Sequence, residues 1–208
     1  LYVLCGIISA LLYVVTYVTG DILRPGYSTI ADSVSELVEV NAPNKSLLDS
    51  MLLVVHALVI PFAYGLHWGI DEGNGSKAGP IMLAISGIMG IILTLFFPCD
   101  PGGKPVTVTG FLHVIIAVLG IGFMTIFAIL AFSLRFKKSK GWSGFFKYSM
   151  ITSLITFLLA LITCIFVESS FSGLLERLVG AAYHQWFIVM GIAVMSQSSV
   201  KRNENLLL

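Results

Sequence analysis

Apolar residues in this chain gather into six runs of about 18 to 27 residues, separated by short breaks rich in Gly, Pro, Ser and charge. A helix of about 20 residues, rising 1.5 Å per residue, crosses the hydrocarbon core of a bilayer, so each run is long enough to span. The runs are continuous and lack period-two alternation, which excludes a β-barrel. They predict helices over Leu1 to Val18, Leu47 to Trp68, Pro80 to Phe97, Val108 to Leu134, Phe145 to Val167 and Leu174 to Met195. The fold class is therefore all-α: a polytopic membrane protein whose residues 1–208 form a single domain of six transmembrane helices. The first run starts at Leu1 with neither a methionine nor a basic region before it, and reads as a spanning helix, not a signal peptide.

Within the runs, finer patterns predict packing. Pro61 should kink the second helix, because its ring removes a backbone donor and clashes with the preceding turn. Ala84, Gly87 and Gly90 in the third run, and Gly120 and Gly122 in the fourth, let backbones approach where lipid removes the hydrophobic drive. Ser149, Thr152, Ser153, Thr156 and Thr163 fall on one side of the fifth, the side expected to face the bundle interior. The longest break, Gly20 to Ser46, has its own pattern. Arg24-Pro25-Gly26-Tyr27 is a turn; Ile30, Val34, Leu37 and Val38 then recur at helical spacing, and Ser33-Val34-Ser35-Glu36 matches a capping box. This predicts a short amphipathic helix in the first external loop, over Ile30 to Val38, lying apolar face down on the bundle mouth.

Composition agrees with insertion: 57% hydrophobic, 11% charged and a mean hydropathy of +0.94, against about 25% charged in soluble domains. Charge adds sidedness. Lys77, Arg135, Lys137, Lys138, Lys140, Lys147, Lys201 and Arg202 fall at one face, against Arg24, Lys45, Lys104 and Arg177 at the other. The excess of basic residues beside cytoplasmic helix ends places both termini in the cytoplasm. The basic cluster from Arg135 to Lys140 is then a membrane anchor, and nucleic acid is no partner; membrane lipid is. His67, beside Trp68, falls at the same inner interface. Asp21, Asp32, Glu36, Glu39, Asp49, Asp100, Glu168 and Glu176 lie on the outer face.

The candidate chemistry is at that outer face. Three cysteines make no disulfide framework, although Cys99 and Cys164 fall near the same end, where a bond between them is geometrically allowed. Counted at 1.5 Å per residue, His56 lies about 13 Å deep, His113 about 7 Å and His184 about 10 to 15 Å. Ionisable groups inside spans are expensive and by default mark function, although a lone intramembrane histidine can also simply bond a carbonyl. Asp100, in Pro98-Cys99-Asp100-Pro101-Gly102-Gly103, either closes its turn by accepting backbone N–H bonds or orients His113 as a carboxylate–imidazole pair. Glu36 serves the capping box in part, and Glu168 and Arg177 are placed to pair. The catalytic candidates are thus Asp100, His113 and Glu36, and the ligand-binding candidates Arg177, His56, His184 and Glu168. No phosphate loop, His-Glu-x-x-His, Gly-x-Ser-x-Gly or Cys-x-x-Cys occurs, and the scattered histidines give only a weak zinc signal.

Five motifs in fixed order, Arg24-Pro-Gly-Tyr, Ser33-Val-Ser-Glu-Leu, Phe97-Pro-Cys-Asp-Pro-Gly, Gly110-Phe-Leu-His and Gly173-Leu-Leu-Glu-Arg, resemble a family of membrane proteins named domain of unknown function 998. The resemblance covers nearly the whole chain. It implies a six-helix fold and includes Glu36, Asp100, His113 and Arg177 in the family pattern; it implies no activity. The residues themselves point first to an outward-opening polar cavity that binds, or binds and processes, a lipid or small amphiphile. Three readings compete: a small proton- or ion-coupled carrier, a haem protein using two of His56, His113 and His184 as axial ligands, and a non-catalytic scaffold. Cofactor and oligomeric state are not written in the sequence.

Overall fold

A computed structural model describes residues 1–206, with side chains through Gln197. Among them no strand forms, and six helices are long and apolar enough to cross a membrane: α1 (Leu4–Leu23), α2 (Lys45–Gly69), α3 (Ala78–Phe96), α4 (Val108–Phe136), α5 (Gly144–Ile165) and α6, apolar over Ser172–Gln197. α1 and α2 begin or end a few residues away from the sequence expectation. Pro61 lies inside a continuous α2.

Each helix packs on the next in sequence, and α6 returns to α1, which closes a ring of six antiparallel neighbours. Small and hydroxylated residues make the seams. Gly87 and Gly90 leave room for the His56 turn of α2, where an added Cβ would strike the His56 carbonyl or ring. Ser9 donates to the Val55 carbonyl at 2.9 Å, joining α1 to α2. The predicted stripe on α5 does face inward: Ser149, Thr152, Ser153 and Thr156 are buried. Ser149 accepts the Trp186 indole N–H at 2.9 Å, and Ser153 donates to the Ile126 carbonyl at 3.1 Å.

The two ends of the ring are filled differently. At the end of the α2–α3 and α4–α5 connections, Phe62, Leu66, Ile70, Phe132, Phe136 and Trp186 form one buried cluster with Trp142. Arg135 closes this end. Its guanidinium reaches the carbonyls of His67, at 3.1 Å, and of Ile70 and Ser76, and it lies 3.6 Å from Asp71. Carbonyls left over at the α2 terminus need donors, and Arg135 supplies them. It is 5% exposed, so it is an internal clamp and not part of the surface anchor that the run of basic residues suggested. His67 lies 3.2 Å from the same guanidinium.

The other end carries a strap. The capping box forms as expected: Glu36 N–H donates to the Ser33 hydroxyl at 3.2 Å, and Ser33 N–H to the Glu36 carboxylate at 2.8 Å. The helix it starts is shorter and tighter than the spacing predicts, a 3-10 turn over Val34–Val38. Val34, Leu37 and Val38 face down and are buried, whereas Ile30 is 56% exposed. Ile30 is diverted because residues 30 and 31 serve another purpose: their carbonyls accept the Leu174 and Gly173 N–H groups at the start of α6.

α4 is not uniform. Its first turns are α-helical over Val108–Ile115, the chain widens into a π-helix over Ile116–Phe123, and α-geometry resumes at Met124. Such segments are rare and occur often at functional sites.

Candidate functional site

Beneath the strap, at the ring's open end, lies a cavity of about 720 Å³. Its polar wall comes from the strap and helix starts, with Ser33, Ser35, Glu36, Lys45, Asp49 and Glu176; its apolar wall comes from the π segment and α5–α6, with Ala117, Val118, Ile121, Ala160 and Val179. The cavity reaches the surface in two directions. Lys104 and Glu168, on its rim among the loops, are 72% and 77% exposed in their side chains. Val114 and Val167, on its α4–α5 flank, are 39% and 62% exposed. The Phe123 and Phe157 rings stand 5.9 Å apart where α4 and α5 meet. From there toward the strap, both helices line the cavity.

His113 is the best-held polar group in this wall. α3 stops at Phe96 because Pro98 cannot continue it, so its last carbonyls lack donors. His113 Nδ1 lies 2.6 Å from the Phe97 carbonyl and takes up one of them, and Nε2 lies 3.1 Å from the Ser35 hydroxyl. A carbonyl only accepts, so Nδ1 carries the proton and Nε2 presents its lone pair to Ser35. The ring is 5% exposed.

Asp100 does not bond to His113. Its carboxylate accepts the N–H groups of Val106 and Thr107 at 2.7 and 2.8 Å and the Thr107 hydroxyl at 2.8 Å. Thr107 in turn caps α4 through Gly110 N–H at 3.0 Å. The turn-closing role wins because those donors are six and seven residues away along a chain that Gly102 and Gly103 bend back through left-handed φ of 72° and 70°. The bonds from Thr107 hold the Asp100 carboxyl below its usual pKa, with Val106 adding to them and burial opposing. Gly110 must be glycine here, since a Cβ would run into the Asp100 carboxylate.

Arg177 and Glu168 do not pair either. Arg177 is 8% exposed and donates to the carbonyls of Asp32 and Gly173, both at 2.9 Å, and to the Tyr27 hydroxyl. It also stacks over the rings of Tyr17 and Tyr27. Burial pushes the Tyr27 phenol up to about 12 against the pull of Arg177, so it stays a neutral donor to the Ser33 carbonyl at 2.8 Å. Arg177 is thus the post to which the strap is tied, and Glu168 instead faces Lys104 at 3.8 Å. His184 does not line the cavity: its Nδ1 bonds the Gly180 carbonyl of its own helix at 3.0 Å, and its ring packs behind Tyr13 and Tyr183, which do. His56 does line the cavity, on the α3 side. Of the seven expected residues, then, Glu36, His56, His113 and Glu168 face the cavity, while Asp100, Arg177 and His184 support it from behind.

Several contributors escaped the sequence reading. In the sequence Ser35 stands out only as a member of the capping-box motif. Glu39, 7% exposed, accepts Arg24 at 2.5 Å and Gly102 N–H at 2.6 Å, and so ties the strap to the second loop; Val40 N–H reinforces this through the Cys99 carbonyl at 2.9 Å. Glu176 receives Val34 N–H at 2.9 Å. An acid in a long polar loop carries no signal for a partner 63 positions away. Cys99 and Cys164 are both free thiols, one buried and one exposed; burial, with four acids nearby, raises Cys99 to about 12 and keeps it an unreactive thiol. Among the described residues no three His, Cys, Asp or Glu side chains converge as a metal site would require.

Neither curated proteins nor solved structures give a match to this chain. A family model described as protein of unknown function (DUF998) matches residues 7–193, a stretch that includes the strap, the cavity lining and most of every helix of the ring, and the chain therefore belongs to that family.

Proposed function

We propose that the cavity is a binding site for a membrane amphiphile, with the head under the strap and a hydrocarbon chain against the π segment. The observation that carries this is the division of one cavity into a polar wall at the loop end and an apolar wall that reaches the flank between α4 and α5. Its volume lies within the range of about 300–1,000 Å³ usual for small-molecule sites. A lipid that enters along this flank keeps its chain out of water.

Charge narrows the head group. Asp32, Glu36, Asp49, Glu168 and Glu176 line the cavity against Lys45 and Lys104. Both lysines are already paired, with Asp49 at 2.6 Å and Glu168 at 3.8 Å. With both lysines paired, neither is left free for an anionic head, which favours an uncharged polyol or a cationic head instead. The excess of basic residues at the Arg135 end favours an arrangement with the strap and cavity outside and both termini in the cytoplasm.

Purified protein, extracted with organic solvent and analysed by mass spectrometry, is expected to release a retained lipid of neutral or cationic head. Ala117→Trp and Val118→Trp, which fill the apolar wall, are expected to lower the retained amount at least fivefold while leaving the folded yield unchanged. Equal lipid content in wild type and both variants would overturn the reading.

A further inference from the structure

Among the cavity's polar groups, one pair has the arrangement of a nucleophile and its base. Ser35 and His113 come from parts of the chain 78 positions apart and meet at 3.1 Å on the cavity wall. The imidazole has its second nitrogen fixed on the Phe97 carbonyl at 2.6 Å, which sets both tautomer and ring plane as a carboxylate does in a serine–histidine–aspartate triad. Ser35 is half-buried and lines the cavity. Ser35 is also held without using its hydroxyl: the 3-10 turn is fixed by Ser33, Glu36, Glu39 and Arg24.

We propose that Ser35 is a nucleophile activated by His113, acting on the acyl ester of an amphiphile with an uncharged head; this rests on the cavity being an amphiphile site. As Ser35 Oγ bonds to the acyl carbon, its proton passes to His113 Nε2. The ester C–O bond then breaks, the alcohol leaves with the proton returned by His113, and the acyl group stays on Ser35. Water, deprotonated by the same nitrogen, attacks the acyl-serine, releases the fatty acid and restores the hydroxyl. The reaction needs no oxidant, reductant or cofactor. Asp100 and Arg177 are positioning residues: one fixes the start of α4, which carries His113, and the other fixes the strap, which carries Ser35.

The test uses the full chain in detergent micelles with two probes: a long-chain alkyl fluorophosphonate, which phosphonylates activated serines, and a fluorescent monoacylglycerol for binding. The expected result is a phosphonate adduct at Ser35 by peptide mass spectrometry, with release of fatty acid from monoacylglycerol. Ser35→Ala removes only the hydroxyl and should abolish both adduct and release at unchanged folded yield. His113→Asn, which keeps a donor for the Phe97 carbonyl, should slow labelling at least 100-fold. Wild type that binds the monoacylglycerol yet forms no adduct and releases no acid would overturn the dyad and leave the binding reading standing. Wild type that binds no monoacylglycerol and retains no lipid would overturn both.

Discussion

Asp100 and Gly110 act as a single fitting at the start of α4. The carboxylate needs three donors from residues 106 and 107, and it rests on a helix turn without a side chain. Asp100→Asn should lower the melting temperature in micelles at neutral pH, because the amide cannot accept all three bonds. The acid dependence follows from the lowered carboxyl pKa. Stability from Asp100 is fully present above its unfolded value of about 3.9 and is lost as pH falls through the lower folded value. The Asn variant should lack that part of the acid-side decline; a superimposable pH–melting profile for wild type and variant would contradict the assignment. Gly110→Ala should destabilise by about 1–3 kcal/mol, the usual cost of overpacking, although alanine is the better helix former by about 1 kcal/mol. A rise in melting temperature would show that the carboxylate is not seated there. The sequence offered both roles for Asp100, and only the path of the Pro101–Gly103 turn decided between them.

At the scale of elements, the strap is where local and distant signals part. Its capping box was legible because Ser33 and Glu36 are three residues apart and their bonds close within the same turn. Its attachments were not, since Arg24–Glu39–Gly102 and Tyr27–Arg177 join positions remote in sequence. The π segment was likewise invisible: hydrophobic periodicity fixes which face is apolar, whereas residues 116–123 are apolar throughout and leave the hydrogen-bond register open. Glu39→Ala removes the acceptor shared by Arg24 and Gly102, and should cost about 1.5–3 kcal/mol, as lost bonds to charged groups do. In hydrogen exchange, the amide of Val40 should lose protection while the buried cluster around Phe132 and Trp186 keeps it. Unchanged exchange at Val40 would mean that the strap is held without Glu39.

The ring as a whole follows from the six apolar runs and the short connections between them, which leave consecutive helices as neighbours. The sequence could not show that one end would be filled by aromatic side chains and the other left open, because the large residues of each helix are read one helix at a time. Polar residues did mark the open end, since the candidate acids and His113 cluster there. The orientation in the membrane has its own test: Lys104→Cys, in a background with Cys164 replaced, should react with an impermeant maleimide on intact cells. Labelling only after permeabilisation would reverse the topology. The claim most directly at stake is that a hydrocarbon chain occupies the cavity between α4 and α5. A monoacylglycerol with a photoactivatable diazirine in its acyl chain, irradiated on the purified protein, should crosslink to peptides containing Ala117 to Phe123 and Ala160 to Val167, with competition by unmodified monoacylglycerol. Crosslinks spread over the outer faces of all six helices, undiminished by competitor, would contradict it.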